Sequence, residues 1–266
     1  ADTFVYLNEA LYDYRCDSGM TTKFDKDYYF TFKKIFEEII KEKKAWNLKS
    51  FNKLFAIKVF QTTGRAITQS RYNKWNSYGE QRKYLNECMQ SILLQVETIE
   101  NDCEILLIDD GSTDTSGRIC DTYKDRYPDI VKVFHKPNEG LLATRRFGFK
   151  RVSGDYVINC DSDDLLEKGM LKSVKNIILK YKNPDIIFIN HNRYDGKEKT
   201  IEFENIFSNK HDSLIPRENV LREFMTGHSV VSVCGKICKT SCINPDLDYK
   251  KYGRMSTGED TLQSVE

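Results

Sequence analysis

The sequence contains no apolar run approaching the roughly 18 to 20 residues that a membrane span needs. Its acidic, polar start does not resemble a signal peptide either. The expectation is a soluble protein, or one that sits on a membrane surface. It also lacks an excess of charge of either sign, with 41 Lys and Arg against 40 Asp and Glu. That balance excludes the one-sided field of a protein that coats nucleic acid, so no nucleic-acid partner is expected. Dense, regular cysteine spacing is missing as well. The eight cysteines (16, 88, 103, 120, 160, 234, 238, 242) fall mostly inside apolar or helical stretches and read as reduced thiols of a cytosolic protein. The four histidines share no spacing, and none is nominated for a site. There is no internal repeat and no low-complexity tract.

What the sequence has is length and pattern. At 266 residues it can bury a sizeable core as one large domain, or one domain with an appendage. The neutral total hides an asymmetry: residues 21–82 carry 14 Lys and Arg against 6 Asp and Glu, a net of +8, which leaves −7 elsewhere. In this basic segment Phe32, Ile35, Phe36, Ile39 and Ile40 recur at helical spacing, and Ser50 starts a second helical pattern through Phe51, Leu54, Phe55 and Val59. The reading is a basic helical appendage. It is either a helix lying on an anionic membrane or a solvated helix packed on the domain.

From residue 103 onward, short apolar runs alternate with amphipathic stretches, the pattern of strands joined by helices in a mostly parallel sheet. Glu104 to Ile108 reads as a buried strand, Thr115 to Tyr127 as a helix, Ile130 to His135 as a strand, and Leu141 to Val152 as a helix bearing Arg145 and Arg146. Asp155 to Cys160 is a third strand, followed by a helix from about Glu167 to Tyr181 and a strand from Asp185 to Asn190. Cys234, Cys238 and Cys242, spaced by four, read as three thiols on one helix face rather than as a zinc site.

Two acidic clusters fall at strand ends, where open α/β sheets bind ligands. They are Asp109-Asp110-Gly111-Ser112-Thr113-Asp114 and Asp161-Ser162-Asp163-Asp164. Carboxylates packed this closely repel one another unless a cation or hydrogen-bond donors share the site. Hard oxygen ligands suit Mg or Mn, and a diphosphate would complete the shell. Taken alone, each cluster is equally a set of turn and cap residues. A calcium loop is excluded, since Leu165 and Leu166 stand where an oxygen ligand and a glycine are required.

Together, the DDGSTD turn, Asn138-Glu139-Gly140 with Arg145, and the DSDD strand end resemble family 2 glycosyltransferases, densely from Tyr84 to about Tyr194 and more thinly to Glu266. The resemblance implies a GT-A fold, that is, a Rossmann-like sheet flanked by helices. It implies nucleotide contacts from Asp109, Asp110 and Arg145, and ribose and metal contacts from Asp161 and Asp163. Gly258-Glu259-Asp260 resembles the family's downstream motif, which implies Asp260 as general base with Glu259 as orienting neighbour. Outside that context the pair is equally a helix N-terminal acid pair.

The order departs from the family. Ala1 to Met20 resembles the segment that follows the Glu-Asp motif, including a loop in which Arg15 and Ser18 are candidates for the diphosphate, Arg15 being equally an ordinary surface cation, and no first strand is visible before Tyr84. The sequence thus resembles a circularly permuted member, with a catalytic domain at 83–266 completed by 1–20 and the appendage at 21–82. No residue can be nominated for the first strand's part of the nucleotide pocket.

The implied function is an inverting, Mn- or Mg-dependent transfer from a UDP-sugar to a glycan or lipid-linked acceptor in surface polysaccharide synthesis. The implied location is the cytoplasm, including the inner membrane face, and oligomers are compatible with it. The alternatives are a catalytically silent nucleotide-sugar-binding or scaffold protein, and a nucleotidyltransferase. The latter wants a glycine-rich, Arg- or Lys-bearing loop that is not seen.

Overall fold

The computed structural model describes residues 2–15, 28–46, 81–100, 102–194, 199–200, 207, 211–226, 230, 232–244, 246, 260 and 264. In chain order the elements are β1 (Phe4–Arg15), α1 (Tyr28–Trp46), α2 (Gln81–Val96), β2 (Ile105–Asp109), α3 (Ser116–Arg126), β3 (Val131–His135), α4 (Leu141–Phe149) and β4 (Tyr156–Ile158). They continue with β5 (Leu165–Leu166), α5 (Met170–Lys180), β6 (Ile186–Tyr194), β7 (Lys199–Thr200), β8 (Ser213–Ile215), α6 (Arg217–Thr226) and β9 (Lys236–Lys239). The fold is α/β, as the alternation of patterns predicts. The second helical pattern, from Ser50, lies outside the described residues.

The sheet is built around β1 and β6. Their parallel ladder runs from Phe4 opposite Ile186 to Arg15 opposite Tyr194, with irregularities between Leu7 and Tyr12. The first four residues of each strand are apolar on both faces, and helices cover both faces there. Val5, Leu7 and Leu11 of β1, with Ile187 and Ile189 of β6, pack on Met170, Val174 and Ile177 of α5. The alternate residues Phe4, Tyr6 and Phe188 pack the other way, against Ile35 and Ile39 of α1, Leu142 of α4, and Val220, Phe224 and Met225 of α6. The period of two along each strand assigns the residues to faces, and each fully buried large side chain contributes about 1.5–3 kcal/mol.

The two longest ladders, β1–β6 and β2–β3, are parallel, whereas the short strands join antiparallel: β5 and β8 on β1, β7 and β9 on β6, and β4 on β9. The sheet is therefore more mixed than a mostly parallel reading. The antiparallel partners are all strands of only two to four residues.

β2 and β3 form a separate two-stranded sheet among the described residues. They pack through Ile105 and Val131 on Leu85, Met89 and Val96 of α2 and Cys120 of α3. Only Ile105 of β2 is fully buried and the rest of the strand is half-buried, less than the all-apolar run predicts. With a single paired neighbour among the described residues, this strand is less enclosed than β1 or β6.

Ile35 and Ile39 of α1 are completely buried, and Trp46 meets Phe224 edge-on at 5.6 Å. Ile35 and Ile39 are thus engaged with the domain core, while Ile40 of the same pattern is 51% exposed. No described helix is long and apolar enough to cross a membrane.

Candidate active site

The first acidic cluster ends β2. Gly111 takes φ +72°, and a side chain there would meet the Asn138 amide nitrogen at 2.8 Å, so the turn needs glycine. The turn brings Asp109 and Asp110 against the end of β3, whose parallel register sets Asp109 opposite His135. One Asp109 oxygen accepts the Ser112 amide at 2.8 Å and the other meets His135 Nδ1 at 2.9 Å, while His135 Nε2 meets Asp121 at 3.0 Å. Burial pushes the Asp109 carboxyl up, but the bonds from Ser112 and His135 outweigh it and hold the group below the usual range.

Asp110 turns toward the next segment. It accepts the Glu139 amide at 2.9 Å, the Gly140 amide at 2.8 Å, and the ammonium of buried Lys136. Here too burial raises the carboxyl and the donated bonds more than reverse it. Asp110 thus anchors the start of α4, an anion at a helix N-terminus.

α4 carries Arg145, which is 8% exposed. Its Nη2 donates to Asp161 at 3.1 Å and its Nη1 to Asp260. Burial disfavours the cation, yet Asp260 and Asp161 outweigh it and raise the Arg145 pKa, so the guanidinium stays charged. One cation therefore joins the DSDD strand end to the downstream acidic residue. The second Asp260 oxygen receives the Val233 amide at 3.4 Å.

Asp164 is only 1% exposed and accepts the Tyr12 hydroxyl at 2.6 Å. That hydroxyl also receives the Asp161 amide, at 3.2 Å. The last aspartate of the cluster is thus a structural anchor, while Asp161 and Asp163 remain half-buried. Cys88 and Cys160 approach to 3.7 Å behind Asp161. The described cysteines are free thiols.

Ligand atoms of Asp161, Asp164 and Cys234 lie within 4.8 Å of one another. This trio matches a hard cation poorly. Burial raises the Cys234 thiol well above its usual range and keeps it protonated, sulfur is a soft ligand, and Asp164 is engaged with Tyr12. Asp161 and Asp163 offer hard carboxylate oxygens that are still accessible, the donor set that suits Mg or Mn completed by phosphate oxygens.

Of the residues expected from the sequence, Arg145, Asp161 and Asp260 come together directly. Asp110 connects to them through the start of α4, while Asp109 is held by Ser112 and His135. Glu259, Ser18 and the Arg15 side chain lie outside the described residues. The expected helix of three cysteines is corrected: Cys234 precedes β9, Cys238 lies in it, and Cys242 belongs to a short 3₁₀ turn, because this segment pairs with β4 and β6. Sequence reasoning passed over Tyr12, Lys136, His135 and Lys236. Of these, only Lys136 and His135 carried a signal, lying at the end of the strand that faces the DDGS turn.

Comparison with known proteins follows the same lines. A match to the family described as Glycosyl transferase family 2 spans residues 76–240. The chain is 36% identical over 122 residues to Glycosyltransferase GlyG of Streptococcus pneumoniae serotype 4, covering 46% of this chain and 39% of that protein. It is 33% identical over 126 residues to the minor teichoic acid biosynthesis protein GgaB of Bacillus subtilis, covering 47% and 14% respectively. The chain thus spans well under half the length of these relatives. A crystal structure of S. aureus TarS residues 1–349 aligns with a TM-score of 0.49 at 21% identity, over 70% of this chain and 51% of that one. The matched segment holds both acidic strand ends and Arg145, and on this match the chain belongs to glycosyl transferase family 2.

Proposed function

We propose that the chain transfers a sugar, with inversion, from a UDP-sugar to a hydroxyl of a glycan or lipid-linked acceptor in surface polysaccharide synthesis. The observation that carries this reading is Arg145 bridging Asp161 and Asp260. It brings a donor-side carboxylate and a candidate base to one buried cation. The naming of relatives for teichoic acid synthesis supports the class of product.

In this reading Asp109 and Asp110 border the nucleotide at the end of β2, and Asp161 and Asp163 would hold Mg or Mn beside the diphosphate. The bound cation would neutralise charge developing on the departing nucleoside diphosphate. Asp260 accepts the proton of the attacking hydroxyl as the new glycosidic bond forms and the bond to the diphosphate breaks on the opposite face. Arg145 fixes the angle between the two carboxylates and stays charged throughout. The catalytic unit is 83–266 completed by 1–20, with 21–82 joined to it through the core contacts of α1.

The deciding experiment is UDP release from UDP-glucose, UDP-galactose, UDP-N-acetylglucosamine and UDP-N-acetylgalactosamine, with and without Mn. Asp163→Asn should abolish the Mn-dependent part of UDP binding and of turnover. Asp260→Asn should lower turnover by roughly 10²–10⁴, the usual contribution of a general base, while UDP still binds. Binding without turnover on any sugar would instead favour a silent nucleotide-sugar-binding protein.

A further inference from the structure

β9 opens on Lys236, which is only 7% exposed. A buried amine is expensive, and desolvation pulls its pKa down to about 8 against the raising influence of Cys238, Asp260 and Cys234. An apolar side chain of similar size would fill the same space at lower cost. The lysine is placed where its ammonium reaches Ser264, four residues from Asp260. Lys236 Nζ donates to Ser264 Oγ at 2.5 Å, and Ser264 Oγ donates to the Asp260 carbonyl at 2.7 Å. From the same segment the Val233 amide donates to the Asp260 carboxylate at 3.4 Å, and the Lys236 amide closes back on the Val233 carbonyl at 3.2 Å. The Val233–Lys236 turn therefore holds Asp260 at two points, its carboxylate directly and its backbone through Ser264. Arg145 holds the carboxylate from the other side.

We propose that Lys236 is a positioning residue: with Ser264 and Val233 it clamps Asp260 and so fixes where that carboxylate meets an acceptor hydroxyl. The proposal rests on the reading of Asp260 as the general base. On this view the amine is retained for function at a cost in stability.

The test compares wild type with Lys236→Met, Lys236→Arg and Ser264→Ala. It uses the UDP-sugar that wild type turns over, together with UDP binding, melting temperature and hydrogen exchange of the peptide spanning residues 260–264. Misplacing a reacting group by about 1 Å costs on the order of 10²-fold, so Lys236→Met and Ser264→Ala should lower kcat by up to that factor. KM for the donor and UDP affinity should stay within about twofold, since donor contacts are untouched. Lys236→Arg, which keeps the cation, should restore part of kcat.

The Lys236→Met protein should melt at the same temperature or higher, because a buried charge has been removed. Its 260–264 peptide should exchange faster. Unchanged kcat, or a lower melting temperature together with lower kcat in Lys236→Met, would overturn the proposal. So would unchanged exchange of the peptide, whether or not any sugar is turned over. If Lys236→Met fails to fold, Ser264→Ala reads the same clamp with the charge left in place. Full activity in Asp260→Asn would sink the base reading by itself, while faster exchange in the clamp variants would still support the mechanical link.

Discussion

Tyr12 and Asp164 are joined by a buried 2.6 Å hydrogen bond across 152 residues of sequence, tying the central strand to the acidic strand end. Tyr12→Phe removes this donor from the buried carboxylate and also the acceptor of the Asp161 amide. Leaving a buried polar group short of a partner costs about 1–3 kcal/mol. Urea denaturation should show that loss with an unchanged slope. An unshifted midpoint would mean the bond contributes nothing to stability.

Arg145 spans two carboxylates with separate nitrogens, which a lysine cannot reproduce. Removing one partner of a fully buried ion pair costs about 3–5 kcal/mol, but Asp161 and Asp260 retain 34% and 29% side-chain exposure. Arg145→Ala should therefore destabilise by about 2 kcal/mol in chemical denaturation. Arg145→Lys should keep the fold and lose at least about tenfold in kcat/KM, one or two charge-assisted bonds' worth. Wild-type kinetics in Arg145→Lys would remove the bridge from the mechanism.

His135 gives the stability a pH signature. Hydrogen bonds to Asp109 and then Asp121 raise its folded pKa above the ordinary 6.5. Its contribution is thus fully present below about 6.5 and is lost as pH rises through the raised value. His135→Gln should flatten the fall in stability above that point while leaving the acidic limb set by the carboxylates. Because the ring is largely exposed, the effect should be small and should shrink with salt. Parallel stability curves for the two proteins from pH 6 to pH 8 would contradict the assignment.

Gly111→Ala forces a side chain into a positive-φ position facing the Asn138 amide at 2.8 Å. The backbone alone costs roughly 1–2 kcal/mol there. Since Asp109 and Asp110 precede the turn, UDP affinity measured by calorimetry should fall together with stability. Retained affinity would separate the turn from the nucleotide site.

Much of this was legible in the sequence, and the parts that were not share a physical cause. Apolar runs such as EILLI and DIIFIN and the periodicity of the 170–180 helix give strands and helices because period and burial are local properties. The two acidic clusters were legible as a pair because each terminates a strand. The role of Asp164 was not, since its partner lies near the other end of the chain and no spacing rule connects residues 12 and 164. Cys234, Cys238 and Cys242 misled for the same reason: their spacing of four suggests a helix, but pairing with β4 and β6 overrides local preference. Lys236 lies in that same misread segment, and its burial comes from the strand pairing rather than from any local pattern.

The position of β1 has a consequence for how the chain assembles. The strand from Phe4 is the earliest described element to be synthesised, yet its parallel partner starts at Ile186 and its antiparallel neighbours at Leu165 and Ser213. Its first aliphatic and aromatic side chains must wait through some 180 residues of synthesis before the long parallel ladder can close. Such non-local closure is slow, and an unpaired apolar strand is a template for association with other chains. Expression at lower temperature or with chaperones should accordingly raise the soluble yield more than it would for a fold whose central strand pairs locally.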